Sequence, residues 1–346
     1  MKEIISQFFD YSGFVRCQPF GSGHINDTFR LDVRSEEGSR PWLLQRLNHQ
    51  VFRQPDVVME NIRLVGEYLS AQPAYPLLVL SPVPTLDGRL LHRDDAGNYW
   101  RVFPFFENTI SFDRVETPEQ AFEAARAFGC FSRALNGMDA SRLRPTIPGF
   151  HDGLRRLAYF REVLERALPE RLSEAGEEVA GILAESSIFE EVDQLRLPLR
   201  AIHHDTKINN VLFDATTRKA VCVIDLDTVM PGIILSDFGD MMRTFTNAAG
   251  EDEQDLSKVF MQEDVYQALS EGFLSEMADL LTPAEREQLP RGGLWLTLMQ
   301  AVRFLADYLE GDVYYKTAYA GHNLVRTRNQ LALFRSMKKG IKHRDI

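Results

Sequence analysis

One short stretch beyond the middle of the chain carries the residue types that phosphoryl transfer requires. Asp205 could orient and deprotonate an attacking hydroxyl, and Lys207 lies two residues on, where it could approach the transferred group. Asn210 and Asp225 offer the amide and carboxylate oxygens that Mg²⁺ prefers. Asp227 could assist the metal or hydrogen bond to the loop around Asp205. The stretch therefore indicates transfer of the γ-phosphoryl group of a nucleotide to a small molecule.

The spacing and surroundings of these residues favour this chemistry over a chance arrangement. His203–Asn210 fits H-x-D-x-x-x-x-N, a catalytic-loop pattern of kinase-like phosphotransferases. Asp and Asn are also common in turns, where they cap backbone groups. Here the apolar runs Val211–Phe213 and Val221–Ile224 predict a hairpin that leads into the second carboxylate. His203 and Asp237 are predicted to support the catalytic loop through hydrogen bonds.

Composition excludes several other classes. The net charge is −11, and no run of Lys or Arg interrupts it, so we expect no nucleic-acid or membrane-surface partner. Three scattered cysteines (Cys17, Cys130 and Cys222) and an amino terminus without a signal-peptide pattern predict a cytoplasmic protein. The apolar stretch 292–311 contains Arg303, Asp307 and Glu310, which predicts a buried helix instead of a membrane span.

The first 107 residues predict a small lobe of strands and one helix, and we place a domain boundary there. Apolar alternation and helical spacing define its elements. In order they are a hairpin over Val15–Leu31, a strand Trp42–Leu47, a helix Pro55–Ala71, and strands around Thr85–His92 and Tyr99–Phe105.

The loop inside the first hairpin could bind nucleotide phosphates. Gly21, Ser22 and Gly23 lie in it, and glycines let backbone amides approach phosphate oxygens. An ordinary hairpin turn would have the same composition, so both interpretations stay open.

Residues 108–346 predict a larger, mainly helical lobe. Thr117–Gln120 and Thr282–Glu285 are capping boxes with proline at the first helical position. Residues 155–195 are charged and helical in pattern, and residues 200–227 interrupt the helices with two short strands. The whole chain therefore predicts an α+β, two-lobed, protein-kinase-like fold.

Polar residues in the last hundred positions allow two interpretations. Arg303 and Asp307, four apart on an apolar helix, could form an intrahelical ion pair or line the acceptor pocket. A similar choice applies to four residues near the last helix, which could form a solvated helix start or line the pocket. They are His322, Asn323, Arg326 and Arg328.

Taken together, these motifs resemble the aminoglycoside phosphotransferase and choline kinase superfamily, and most closely its bacterial N-acetylhexosamine 1-kinases. The resemblance spans nearly the whole chain in one order. The stretches that carry it are Gly21–Thr28, Phe150–Asp152, His204–Asn210, Ile224–Gly232, Asp237–Asp240, Arg303–Asp312 and His322–Arg328.

This resemblance implies ATP as co-substrate, Mg²⁺, and phosphorylation of the anomeric hydroxyl of N-acetylglucosamine or N-acetylgalactosamine. Asp205 resembles the catalytic carboxylate, and Asn210 and Asp225 the metal ligands. The implied sugar-binding residues are His24, Arg303 and Tyr314, to which we add Asp307 and Arg326. The implied adenine hinge is Phe103–Glu107, with Phe105 and Glu107 as candidate contacts.

The chain departs from this pattern at one position. Many relatives carry a lysine on the strand Trp42–Leu47 that holds the α- and β-phosphates, but here the candidates are Gln45 and Arg46. Gln45 could not form the usual ion pair with Glu60, and Arg46 should point to the opposite face of a regular strand. Glycine-loop amides and Mg²⁺ would then hold the nucleotide.

Two other functions stay open at this stage. The chain could be a kinase for another small alcohol, such as an amino alcohol or an aminoglycoside. It could also be a non-catalytic nucleotide-binding module of kinase fold, although Asp205, Lys207, Asn210 and Asp225 are all present.

Overall fold

The small lobe is built around an antiparallel sheet of five strands in the order β1-β2-β3-β5-β4. Its strands are β1 (Val15–Pro19), β2 (Asp27–Ser35), β3 (Gly38–Leu47), β4 (His92–Arg93) and β5 (Tyr99–Pro104). The structure, a computed structural model, describes residues 1–10, 15–21, 25–35 and 38–342. In the sheet register Gln45 of β3 lies opposite both Thr28 of β2 and Arg101 of β5. The predicted first hairpin and the strands β3 and β5 are confirmed.

The predicted strand over Thr85–His92 is wrong, because a local turn takes its place. Only His92 and Arg93 pair with β5. The Thr85 amide donates to the Arg89 carbonyl over 2.7 Å, and the Arg89 amide donates to Thr85 Oγ1 over 2.9 Å. Gly88 has a φ of +82°, a conformation that glycine adopts without strain. These short-range bonds satisfy backbone groups that a strand would have offered to its neighbour.

Helices dominate the rest of the chain, as predicted. The described part of the small lobe has two helices, α1 (Lys2–Ile5) and α2 (Pro55–Ser70). Those that follow are α3 (Pro118–Leu135), α4 (Gly153–Arg166), α5 (Pro169–Glu174), α6 (Gly176–Glu185), α7 (Ser187–Gln194), α8 (Ile234–Phe245), α9 (Glu263–Met277), α10 (Pro283–Leu309) and α11 (His322–Lys342). The predicted α+β fold, with a small antiparallel sheet and a larger helical part, is confirmed.

Two small sheets carry the catalytic motif within the helical part. One has the order β6-β8-β9, and the other pairs β7 with β10. Their strands are β6 (Thr109–Ile110), β7 (Arg200–Ile202), β8 (Val211–Asp214), β9 (Ala220–Val223) and β10 (Met230–Gly232). The chain thus leaves the first sheet after Pro104 and joins the catalytic hairpin at Thr109. The boundary at residue 107 stays a prediction.

Helix α10 begins with a capping box and is bonded to strand β7 of the second small sheet. The Thr282 hydroxyl accepts from the Glu285 amide, and the Glu285 carboxylate accepts from the Thr282 amide, which completes the predicted capping box. Buried Glu285 also accepts from Arg200 of β7 over 2.7 and 2.8 Å. Most of α10 is buried, and no helix in the described part of the chain is long and apolar enough to cross a membrane.

Candidate active site

Asp205 lies at the centre of a hydrogen-bonded set on the loop between β7 and β8. Its Oδ1 is 2.8 Å from Lys207 Nζ, and its Oδ2 accepts from Asn210 Nδ2 over 3.1 Å. The same Asn210 amide donates to the Asp205 carbonyl over 2.8 Å. Three residues that the sequence predicted to act together are therefore in direct contact.

The charges of this set determine its protonation. The surrounding protein favours the neutral carboxyl, but the ammonium of Lys207 outweighs this effect and lowers the pKa of Asp205. In return, Asp205 raises the pKa of Lys207. At neutral pH the loop thus holds a carboxylate and an ammonium side by side. The carboxylate could orient an acceptor hydroxyl, and the ammonium could stabilise a phosphoryl group.

Helix α8 and strand β9 hold the catalytic loop. Asp237 on α8 accepts from the amides of His203 and His204 over 2.9 and 2.7 Å. Thr206 Oγ1 donates to the Asp237 carbonyl over 2.7 Å. The buried His203 ring contacts the Ile224 carbonyl through Nε2 at 2.9 Å. These contacts support the loop from beneath, as the sequence predicted for His203 and Asp237.

Asp225 and Asn210 present oxygen atoms suited to Mg²⁺. The Ile224 amide donates to the Asn210 carbonyl over 2.9 Å, which brings the two segments together. Asp225 has a left-handed φ of 58° and an exposed side chain that accepts no hydrogen bond from the described residues. Because Asn210 Nδ2 is bonded to Asp205, Asn210 Oδ1 is the atom of this side chain that could bind a cation. A carboxylate and an amide oxygen are ligands that Mg²⁺ accepts.

Negative charge is concentrated around Asp225. The surrounding protein, Asp227 and Asp205 together raise the pKa of Asp225 to about 7. In the described part of the chain no three His, Cys, Asp or Glu residues could hold a metal by themselves. A magnesium ion at Asp225 would therefore depend on phosphate oxygens and water for its other ligands, as is usual for this ion in phosphotransferases.

Asp227, a predicted metal ligand, is bonded to side chains of the small lobe. Its Oδ1 and Oδ2 are 2.5 and 2.9 Å from the guanidinium nitrogens of Arg101, and Oδ2 also accepts from Asn26 over 2.8 Å. Asp227 is 2 % exposed. Both oxygens are thus engaged by side chains of the small lobe, and among the described residues none of the loop around Asp205 bonds to them. The role of Asp227 at a metal site stays a prediction.

The predicted nucleotide-binding residues are placed only in part. Gly21 has a φ of +79°, and Ser22 and Gly23 lie outside the described residues, as does His24, an implied sugar-binding residue. Phe105 packs against Phe20 with 5.1 Å between ring centroids, so the end of β1 and the predicted hinge are neighbours. Glu107 is exposed.

Gln45 on β3 and Glu60 on α2 each bond to other residues. Gln45 donates to Thr28 Oγ1 over 3.1 Å, and its Oε1 accepts from Arg101 Nε over 3.0 Å. Glu60 instead pairs with Arg63 on its own helix, with 2.6 Å between Arg63 NH2 and Glu60 Oε1. The cation beside Gln45 in this chain therefore comes from β5, one strand further along the sheet.

Arg303 and Asp307 both line a pocket and are not paired with each other. In the described structure they form no ion pair with each other: Arg303 donates to Gln300 Oε1 over 3.0 Å. Asp307 accepts from the amides of residues 313–315 over 2.7 to 3.0 Å and from Asn323 over 2.8 Å. Asp307 therefore holds the 313–315 loop and only borders the pocket.

A pocket of about 190 Å³ lies between α4, α10 and this loop. Tyr314 is 61 % exposed at its rim. Arg326 bonds to the Lys316 carbonyl and to Asn323 Oδ1, both at 3.2 Å, so it supports the loop from behind. The lining residues are Arg156, Tyr159, Val302, Arg303, Ala306, Asp307, Glu310, Tyr314 and Tyr315.

Ring contacts join this pocket to the catalytic loop. The Arg303 guanidinium lies 5.4 Å from the Phe150 ring, which stacks on His151 at 4.3 Å. His151 Nδ1 is 3.3 Å from His204 Nδ1, and His204 precedes Asp205 in the chain. A second, larger pocket of about 460 Å³ lies beside Glu123 on α3. None of the residues that connect the first pocket to the catalytic loop lines it.

Sequence reasoning missed several residues that the fold brings to the site. Arg101 and Asn26 contact Asp227, and Arg156 and Tyr159 line the pocket. Asn26 lies within the stretch Gly21–Thr28, whose pattern gives no sign of a distant partner for its side chain. Arg101 had one available signal, a charged residue in an otherwise apolar strand, which predicts a buried partner.

The fold and the catalytic loop are those of a kinase-like phosphotransferase. A family model described as "Phosphotransferase enzyme family" matches residues 16–271, well over half of the chain. The chain belongs to this phosphotransferase enzyme family.

Solved structures share its fold across almost its whole length. An aminoglycoside phosphotransferase from Alicyclobacillus acidocaldarius has a TM-score of 0.63 at 13 % identity, covering 99 % of this chain and 97 % of that one. A spectinomycin phosphotransferase, solved with ADP and spectinomycin, has a TM-score of 0.60 at 12 % identity, covering 94 % and 93 %. A microcompartment-associated aminopropanol kinase has a TM-score of 0.58 at 16 % identity, covering 99 % and 98 %. At these identities the likeness establishes the fold.

Proposed function

We propose that this phosphotransferase uses ATP to phosphorylate the anomeric hydroxyl of an N-acetylhexosamine, N-acetylglucosamine or N-acetylgalactosamine, giving the sugar 1-phosphate. The observation that carries the proposal is the bonded set of Asp205, Lys207 and Asn210, joined by Phe150 and His151 to a pocket lined by tyrosines and arginines.

Asp205 acts as the base in this proposal. Its pKa is lowered by Lys207, so it is ionised at neutral pH and can orient the sugar hydroxyl and accept its proton. The sugar O1–phosphorus bond forms as the bond between that phosphorus and the bridging oxygen of ADP breaks. Lys207 stabilises the negative charge on the transferred group.

Asn210 Oδ1 and the Asp225 carboxylate would hold Mg²⁺, and the five-stranded sheet would bind the nucleotide. The bound ion neutralises phosphate charge and orients the γ-phosphoryl group. We assign residues 1–107 to nucleotide binding and 108–346 to catalysis and acceptor binding. The ADP bound to the similar spectinomycin phosphotransferase supports an adenine nucleotide.

The chemistry of the pocket supports a sugar acceptor. Tyr159, Tyr314 and Tyr315 offer ring faces and hydroxyls, and Arg156 and Arg303 offer planar donors for sugar oxygens. Of its two carboxylates, Asp307 is occupied by backbone amides, and Glu310 is bonded to Tyr159 and Arg166. Few free negative charges are left for a polycationic aminoglycoside.

A second candidate is a kinase for an amino alcohol. It is favoured by the structural likeness to the aminopropanol kinase. In this reaction Asp205 would keep its role, and the aromatic side chains of the pocket would face the ammonium group through cation–π contacts.

An acceptor panel tests both candidates. ADP release with ATP and Mg²⁺ would be measured for N-acetylglucosamine, N-acetylgalactosamine, their 1-O-methyl glycosides, glucose, galactose, choline, aminopropanol and kanamycin. We expect turnover with the free N-acetylhexosamines and none with the 1-O-methyl forms, whose reactive hydroxyl is blocked. Turnover with choline, aminopropanol or kanamycin alone would overturn the sugar assignment.

A further inference from the structure

A buried ion pair joins the five-stranded sheet to the segment that carries Asp225. Arg101 NH1 is 2.5 Å from Asp227 Oδ1, and NH2 is 2.9 Å from Oδ2, so the contact is two-pronged. The two residues are only 1 % and 2 % exposed. A pair so buried is screened little by solvent, and its geometry defines the relative position of the two segments.

Neighbouring polar groups complete the network. Gln45 accepts from Arg101 Nε over 3.0 Å, and Asn26 donates to Asp227 Oδ2 over 2.8 Å. Asn26 Oδ1 in turn accepts from the Asn48 amide over 3.0 Å. The network therefore includes the start of β2, the strands β3 and β5, and the turn after Asp225.

That turn is held from both sides. Asp227 lies in the 3₁₀ turn Leu226–Thr228, directly after Asp225. On the opposite side Thr228 Oγ1 donates to the His203 carbonyl over 2.7 Å. Asp225 has a left-handed backbone, and its side chain forms no hydrogen bond or ion pair with the described residues. The position of its carboxylate thus depends on the contacts of Asp227 and Thr228.

We propose that Arg101 is a positioning residue for the magnesium site. By holding Asp227 with two hydrogen bonds, it orients the turn that presents Asp225, and it couples the nucleotide-binding sheet to the metal. The inference rests on the proposed use of nucleotide and Mg²⁺, but not on the identity of the acceptor.

Charge explains why an arginine suits this position. Asp227 follows Asp225 by two positions, and its buried carboxylate has the guanidinium of Arg101 as its cationic partner. Gln45 is neutral, and Glu60 is paired with Arg63 on the helix surface. The described part of the small lobe therefore offers Arg101 as the buried cation in contact with the metal-binding segment.

Calorimetric titration of ADP into the whole protein, with Mg²⁺ and with EDTA, tests the inference. In Arg101→Met we expect the gain in ADP affinity that Mg²⁺ supplies to fall roughly 10- to 100-fold, as is usual when a residue that orients a metal ligand is lost. ADP affinity in EDTA should stay close to that of the wild type. Arg101→Lys keeps the charge but loses the two-pronged contact. Its Mg²⁺-dependent gain in ADP affinity should therefore lie between those of the wild type and Arg101→Met. Arg46→Met is the matched control, because Arg46 forms an exposed ion pair with Asp27 on the adjacent strand.

A paired variant separates positioning from folding. Arg101→Met with Asp227→Leu leaves no unpaired buried charge, so thermal stability should recover towards that of the wild type. The gain in ADP affinity that Mg²⁺ supplies should still be missing in this paired variant. Its recovery in the paired variant, or an equal loss of ADP affinity with Mg²⁺ and with EDTA in Arg101→Met, would overturn the inference.

The same titration separates this inference from the proposed function. Wild-type protein that binds ADP without any effect of Mg²⁺ would overturn the inference and the metal part of the proposed function. Wild-type protein that binds ADP more tightly with Mg²⁺ but phosphorylates no hexosamine would overturn only the sugar assignment.

Discussion

Asp205 is the residue on which the proposed chemistry depends most directly. We expect Asp205→Asn to lower kcat by roughly 10²- to 10⁴-fold, because the amide cannot accept the hydroxyl proton. The amide has nearly the same size, so ADP affinity should change little. Steady-state kinetics and calorimetry measure the two effects. Asp279→Asn, which removes a carboxylate from an exposed ion pair with Arg133, is the control. Near wild-type turnover in Asp205→Asn would remove Asp205 from the mechanism.

Arg303 lies between two aromatic rings at the pocket wall. Its guanidinium is 5.4 Å from the Phe150 ring and 5.6 Å from the Tyr315 ring. Lysine cannot reproduce this planar stacking. We expect Arg303→Lys to raise the acceptor KM about tenfold, since such contacts contribute roughly 1–2 kcal/mol, with the ATP KM unchanged. Arg133→Lys, at an exposed position paired with Asp279, is the control. An equal change in both KM values would show that Arg303 does not face the acceptor.

At the scale of the elements, the catalytic loop depends on how closely α8 packs on α10. A Cβ at Gly239 would lie 2.3 Å from the Gly292 carbonyl oxygen, and one at Gly292 would lie 2.5 Å from the Leu235 carbonyl oxygen. The helix backbones are therefore in direct contact. Because Asp237 on α8 holds the catalytic loop, this contact also determines the position of the loop.

Gly239→Ala tests this close approach. It should reduce the free energy of unfolding by roughly 1–3 kcal/mol, since rigid backbone must move to admit the methyl group. Gly176→Ala, where a Cβ meets no atom within 4 Å, should change stability by less than about 1 kcal/mol and in the stabilising direction. Urea unfolding of the two variants provides the comparison. Equal effects would show that the α8–α10 contact tolerates a side chain.

At the scale of the whole molecule, a buried histidine cluster makes stability depend on pH. Burial lowers the pKa of His204 to about 3, and it also lowers the pKa values of His203 and His151. The unfolded chain takes up these protons below about pH 6.5, whereas the folded protein does not. These histidines therefore contribute stability that is lost as the pH falls from about 6.5 towards 3.

His204→Asn measures the share of one histidine in this loss. Each such group contributes up to about 1.4 kcal/mol per pH unit within this window. Asn tolerates the left-handed φ of 66° at this position, so the backbone need not change. Unfolding free energies from pH 7 to pH 4 should fall less steeply in His204→Asn than in the wild type. His49→Asn is the control for replacing an exposed histidine. If the dependence of unfolding free energy on pH is unchanged in His204→Asn, His204 takes up its proton in the folded protein over the same pH range as in the unfolded chain.

The sequence by itself determined the fold class, most helices and the catalytic loop. Asp205, Lys207 and Asn210 lie within six positions, and contacts at this range follow from the conformation of one loop. Helix starts such as Thr282 depend on side chains three residues apart. The strand predicted at Thr85–His92 failed because polar side chains and a glycine closed a local turn in place of pairing.

Only the tertiary structure decided how the two lobes meet. Arg101 and Asp227 are 126 positions apart, and Asn26 is 201 positions from Asp227. Spacing along the chain contains no signal for such pairs. The packing of a sheet against a distant turn decides which charges are buried together. The same holds for Asp307. The sequence places it on one face of a helix, but its carboxylate accepts from the backbone amides of the loop 313–315. Local patterns specify elements, because their hydrogen bonds are local. The partners of buried charges follow from how those elements pack.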